Sequence, residues 1–151
     1  KFNAMVLSVI AITDAVLPGM RSRKWGRIIT STSAGVVAPI ANLGISNTLR
    51  AALHGWSKTL AREVAAEGVT SNIIVPGLIA TDRITFLATE RAKREGISIE
   101  AVAAANTAQI PLGRLGDPAE YGAVAAFLAS VPAAYVTGTV VRVDGGLIAS
   151  V

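Results

Sequence analysis

Apolar residues at Met5, Val9, Ile12, Val16 and Met20 recur every three or four positions, the spacing of one helix face. Residues 3–23 are therefore predicted to be helical, with a kink at Pro18, whose ring removes one hydrogen bond from the ladder. Trp25-Gly26 ends that pattern, and Arg27 to Thr32 is short and β-branched, a buried strand. A loop with Gly35 and Pro39 follows. A second helix runs from about Asn42 or Gly44 to Glu67, with Gly68 as its stop signal. Val69 to Val75 is another buried strand, ended by Pro76-Gly77. Asp82 to Arg94 and Ile99 to Gln109 read as two helices on an excursion, separated by Gly96. After a turn at Pro111 to Arg114, Asp117-Pro118 caps a helix to about Ser130. Thr139 to Val143 is the last strand, closed by Asp144-Gly145-Gly146.

Strands alternating with helices argue for an α/β fold, a parallel sheet with helices on both faces. Right-handed crossovers would set the three strands side by side as one half of a Rossmann-like, doubly wound sheet. The first strand would then keep a free edge. The chain opens at Lys1, already inside a helical pattern, and so reads as part of a longer domain.

Composition narrows the function. With 52% hydrophobic residues and a mean hydropathy of +0.54, the chain is more apolar than most soluble domains of its 151 residues. No uninterrupted apolar run approaches the ~18 residues of a membrane span, and Asp14 breaks the best candidate. That same stretch lacks the basic leader and cleavage site of a signal peptide. The net charge is +4, but the cations scatter apart from Arg21, Arg23, Lys24 and Arg27, with only Trp25 among them. This reads as a solvated helix end rather than a nucleic-acid surface. Zero cysteines exclude disulfides, thiolate metal sites and cysteine nucleophiles, and a single histidine argues against a histidine-based metal site. A reducing, cytoplasmic setting is compatible.

Candidate chemistry concentrates between Ser33 and Arg50. Ser46, Arg50 and His54 are spaced by four and share one helix face, each about 5.4 Å beyond the last. A strand-end hydroxyl facing a helix-borne cation is a common way for α/β enzymes to assemble a site.

Four segments, GRIITSTSAG, AALHGWSKTLAREVAAEGVTSNIIVPGLIATD, IPLGRLGDPAEYGAVAAFLAS and YVTGTVVRVDGG, resemble the short-chain dehydrogenase/reductase family in its order and spacing. They span nearly the whole chain and correspond to the carboxyl-terminal portion of a single Rossmann-like domain, residues 1–151, with a substrate lid at about 82–110. The family's glycine-rich turn, which cradles the cofactor pyrophosphate, has no counterpart here.

The resemblance implies hydride transfer between NAD or NADP and a small carbonyl or alcohol substrate, in the manner of a 3-oxoacyl reductase. The family's serine binds the substrate oxygen, its tyrosine moves the proton, and a lysine four residues later lowers the tyrosine pKa and holds the ribose. Ser33 matches the serine, and 46 − 33 = 13 is the usual spacing to the tyrosine. Ser46 stands at the tyrosine position, Arg50 at the lysine position, and Met5 where an asparagine is expected. A serine alcohol is shorter and far less acidic than a phenol, whose reference pKa is about 10. A guanidinium stays protonated but can fork onto ribose hydroxyls or a substrate carboxylate.

Each residue carries two readings. Ser33 either donates to a substrate oxygen or satisfies loop backbone. Arg50 is a ligand-facing cation or a solvated helix charge. Ser46 is a weak catalyst or a small helix-start residue. His54, despite a suitable pKa, is expected to face outward or into a subunit contact. Pro76, Gly77, Ile79 and Thr81 match the family's PGxxxT segment along the nicotinamide, and the Pro-Gly turn is expected to free backbone N–H groups there. Asp144-Gly145-Gly146 reads as a structural turn or subunit contact.

The leading functional expectation is an NAD(P)-dependent oxidoreductase with non-standard catalytic residues. The alternative is a catalytically degenerate binding or scaffold protein that retains the fold. The resemblance also implies a homodimer or homotetramer at full length, with neither nucleic acid nor membrane as partner.

Overall fold

The computed structural model describes residues 1–150. Its centre is a three-stranded parallel sheet in the order β1-β2-β3, made of β1 (Gly26–Ser31), β2 (Val69–Pro76) and β3 (Val140–Val143). Register is continuous, with Gly26 opposite Val69 and Ser31 opposite Ile74, then Ile73 opposite Val140. β2 is buried along seven of its eight residues, as a central parallel strand covered on both faces must be.

Helices α1 (Ser8–Ser22) and α2 (Gly44–Val64) cover one face. Leu17 of α1 and Leu60 and Val64 of α2 pack with Ile28 and Val69, flanked by Met20 and Trp56. Nearer the carboxyl ends of the strands, Ile73 and Val75 pack with Ala34 and Ile148. Side chains alternate along a strand, so Arg27, Ile29 and Ser31 of β1 and Thr70, Asn72 and Ile74 of β2 face the other way. There α5 (Pro118–Ala129) lies across all three strands. Asn72 ties down the segment before β3, donating to the Val136 carbonyl at 2.8 Å and accepting from the Thr139 N–H at 3.2 Å.

The α2–β2 junction needs Gly68. Its φ of +75° is left-handed, and a Cβ there would run into the Lys24 carbonyl. α5 begins with the expected Asp117 cap, reinforced by the Asp117 N–H donating to the Glu120 carboxylate at 2.8 Å. The Arg114 guanidinium, at 2.7 Å, draws the Glu120 carboxyl down to about 2. Between β2 and α5, α3 (Asp82–Glu95) and α4 (Ile99–Ala108) form a helical pair closed on Ala88, Ala92 and Val102. They stand where the excursion was expected.

Two features differ from the sequence expectation. α1 carries Pro18 within it and is preceded by a π-helical turn over Asn3–Leu7 that the periodicity did not predict. Helix 3–22 is also long and apolar enough, by length and composition, to cross a membrane, although Asp14 interrupts its apolar run. It is seated on the sheet through Leu17 and leaves Leu7, Ile12 and Val16 exposed. The basic cluster near Trp25 is partly occupied: Arg21 pairs with Glu67 at 3.1 Å, and Arg27 lies over the Trp25 ring at 5.1 Å.

Candidate active site

The chain leaves β1 through Ser31, Thr32 and Ser33, each held by something different. Ser33 is fully extended, and its Oγ accepts the Gly35 N–H at 3.1 Å, capping a single 3-10 turn at Ala34–Val36. The loop beyond is braced on α2 by Asn47, whose amide donates to the Ile40 carbonyl at 3.0 Å. Ser33 is thereby fixed at the rim with its own hydroxyl proton uncommitted, since a hydroxyl can donate once while it accepts.

Arg50, two turns into α2, reaches over the end of β1. Its Nη1 donates to the Thr32 carbonyl at 3.1 Å and to the Ser31 carbonyl at 3.4 Å. Ser46 lies one turn earlier and makes no side-chain hydrogen bond among the described residues. His54, one turn later, is half-buried and shares a 3.0 Å hydrogen bond with the Thr32 hydroxyl. Burial pushes its imidazole below 6.5. The outward orientation expected for His54 is therefore corrected. Arg50, His54 and Ser57 fall at i, i+4 and i+7, and Ser57 is buried against Ser71 of β2 at 2.9 Å, so this row faces the sheet.

The second wall is the segment after β2. The Gly77 N–H donates to the Val143 carbonyl and the Ala80 N–H to the Gly116 carbonyl, both at 2.9 Å. Those two amides are thus not free for a ligand, contrary to the simplest expectation from a Pro-Gly turn. The N–H groups of Leu78, Ile79 and Thr81 have no partner among the described residues. Gly77 is required by close packing, because a Cβ would come within 2.6 Å of Asp144 Cα. Asp144 in turn accepts the N–H groups of Gly146 and Ile148 at 3.0 and 3.1 Å, a structural role for that turn.

These elements enclose a cleft of about 430 Å³ at the carboxyl ends of the strands, where ligands of open α/β sheets bind. Ser33, Ser46, Arg50, Pro76, Gly77, Ile79 and Thr81 all line it. Four further polar side chains do so that sequence reasoning missed, Ser31, Thr32, Arg83 and Tyr121. No carboxylate lines the cleft, and neither Arg50 nor Arg83 is in an ion pair among the described residues, so the cavity is electropositive. Tyr121 lies one turn into α5, on the face opposite Arg50, and its hydroxyl meets Ser31 Oγ at 2.6 Å.

The sequence profile of the enoyl-(acyl carrier protein) reductase family matches residues 2–148. The 3-oxoacyl-[acyl-carrier-protein] reductase of Vibrio cholerae is 42% identical over 142 residues, 93% of this chain and 53% of that protein. The chain belongs to the short-chain dehydrogenase/reductase family. It spans about half the length of the curated relatives it matches. Among solved structures, an L-sorbose reductase from Gluconobacter frateurii complexed with NADPH and L-sorbose aligns with a TM-score of 0.91 at 32% identity, over 99% of this chain and 57% of that one. YwfH, an NADPH-dependent reductase involved in bacilysin biosynthesis, aligns with a TM-score of 0.90 at 31% identity, over 96% of this chain and 56% of that one. The family's Rossmann-type architecture accounts for the sheet order, the helical pair between β2 and α5, and the cleft's position.

Proposed function

We propose that this chain is the carboxyl-terminal portion of a single Rossmann-like domain. In the full-length gene product that domain serves an NAD(P)-dependent oxidoreductase interconverting a small ketone, 3-oxoacyl-like in class, and its alcohol. The observation that carries this reading is the convergence of Ser33, Arg50 and the Pro76–Thr81 segment on one cleft at the sheet's carboxyl edge. The reductases that share the fold, one NADPH-dependent and one complexed with NADPH, support it.

The donor set fits the nicotinamide and its ribose. Arg50 can fork onto ribose hydroxyls, while Ile79 and Thr81 offer unpartnered N–H groups and Thr81 a hydroxyl toward a carboxamide. No glycine-rich turn for the pyrophosphate occurs among the described residues, so that end of the cofactor would need other chain. When bound, the cofactor supplies hydride to the carbonyl carbon. Ser33 then orients the carbonyl through its uncommitted hydroxyl proton, and the walls formed by Ile40, Leu43, Ile84 and Leu87 exclude water. Ser46, in the family's tyrosine position, is too short and too weakly acidic to replace a phenol.

The exposed Leu7, at the end of the π-helical turn, and Ile12 and Val16 of α1 suit a copy of this chain better than lipid, because Asp14 is exposed on the same helix. A cytoplasmic homodimer or homotetramer, with no nucleic-acid partner, completes the proposal. Titrating NADPH into the full-length gene product is expected to quench tryptophan fluorescence saturably. A flat titration would remove the reading. Binding without turnover on ketones would instead favour a scaffold that has kept only the cofactor site.

A further inference from the structure

The loss of the family's phenol at position 46 leaves a question of proton supply, and Tyr121 bears on it. Only two tyrosines occur in the sequence. Tyr135 is fully exposed and lies outside the cleft, whereas Tyr121 is half-buried and lines it together with Ser33, Ser46 and Arg50. Ser31 and Ser33 are alternate residues at the end of β1. The phenol contacts the first at 2.6 Å, and Arg50 grips the carbonyls of Ser31 and Thr32 from the opposite face. Phenol and guanidinium thus meet at one strand end, a pairing of the two groups that the family otherwise places on a single helix.

We propose that Tyr121 is the proton donor of this cleft, delivering its phenolic proton to the oxygen of a ketone held by Ser33. The inference rests on the oxidoreductase reading. As the carbonyl carbon takes hydride from the reduced nicotinamide, its C=O π bond breaks and a C–H bond forms. The resulting alkoxide takes the Tyr121 proton, breaking the phenol O–H and making the alcohol O–H. Water entering the cleft then reprotonates the phenolate. The net reaction consumes one ketone, one reduced nicotinamide and one proton, and yields one alcohol and the oxidised cofactor.

Two of the three influences on the phenol favour its ionisation, and in the unliganded cleft burial outweighs them. Burial raises the Tyr121 pKa, while the Ser31 hydrogen bond and the Arg50 charge oppose that rise. Arg50 faces the phenol from α2 and Arg83 lines the same cavity from α3. On its own helix, Asp117 is spent on the cap and Glu120 on Arg114. His54 is on the far side of β1, bonded to Thr32.

The test uses the full-length gene product with and without Tyr121→Phe. Near-ultraviolet titration of the unliganded protein, wild type minus variant, isolates the Tyr121 phenolate, and Arg50→Gln is expected to move that titration to higher pH. Tyr121→Phe is expected to lower kcat about 10²–10⁴-fold, the usual contribution of a positioned acid, with KM little changed. Ser31→Ala breaks the same hydrogen bond but keeps the phenol, and is expected to cost about tenfold at most. A purely structural role would make the two losses equal, and that result would overturn the proposal. So would a phenolate titration unmoved by Arg50→Gln, or turnover that survives Tyr121→Phe. Absence of turnover in the wild type would overturn this proposal and the oxidoreductase reading together.

Discussion

Ser33→Ala in the full-length gene product is expected to lower kcat for ketone reduction by about 10²–10³-fold, the usual cost of one donor to a developing oxyanion. The Oγ of Ser33 already accepts the Gly35 N–H, so its remaining proton is the one free to polarise a carbonyl. Alanine removes that proton and the turn cap together. The cap alone is worth about 0.5–2 kcal/mol of local order. Ser33→Thr, which keeps the hydroxyl, separates the two effects: it should recover most of kcat if donation matters and little if the loop has collapsed. Steady-state kinetics on a 3-oxoacyl thioester would measure both.

Arg50→Ala should act on binding first. The guanidinium bonds two carbonyls at the end of β1 and places a fixed positive charge in a cleft without carboxylates. Losing a hydrogen bond to a charged group costs about 1.5–3 kcal/mol, or roughly 10–150-fold in NADPH affinity. The Thr32 carbonyl also loses its clamp, which should loosen the loop carrying Ser33. Arg50→Lys keeps the charge but not the planar fork, and is expected to fall between wild type and alanine. Calorimetric titration with NADPH measures the series. An alanine variant that binds as tightly as wild type would show that Arg50 serves only the strand end.

Most of the scaffold was legible because its signals are short-range and unambiguous. The β-branched runs Arg27–Thr32 and Val69–Val75 can be little other than buried strands, and Gly68 and Asp117-Pro118 mark helix ends by conformational necessity. The convergence of Ser33, Ser46 and Arg50 also follows from periodicity, since a strand end and the first turns of the next helix lie at the same edge of a parallel sheet. Tyr121 was not legible. The run PAEYGAVAAFLA is apolar nearly all round, so no stripe says which side meets the sheet, and pairing with Ser31 depends on contact across 90 residues. The same limit hid His54, whose orientation depends on the buried Ser57–Ser71 contact rather than on α2 itself. Met5, standing where an asparagine was expected, falls in a π-helical turn whose altered winding no periodic reading would detect.

The central claim is that this cleft brings a nicotinamide to a ketone. It is tested most directly by incubating the full-length gene product with NADPH deuterated at the transferring carbon and a 3-oxoacyl thioester, then locating the label by mass spectrometry. The account predicts one deuterium on the carbinol carbon of the product, at a rate that falls sharply in Ser33→Ala. Product without the label, or label transfer at the same rate in Ser33→Ala, would contradict it.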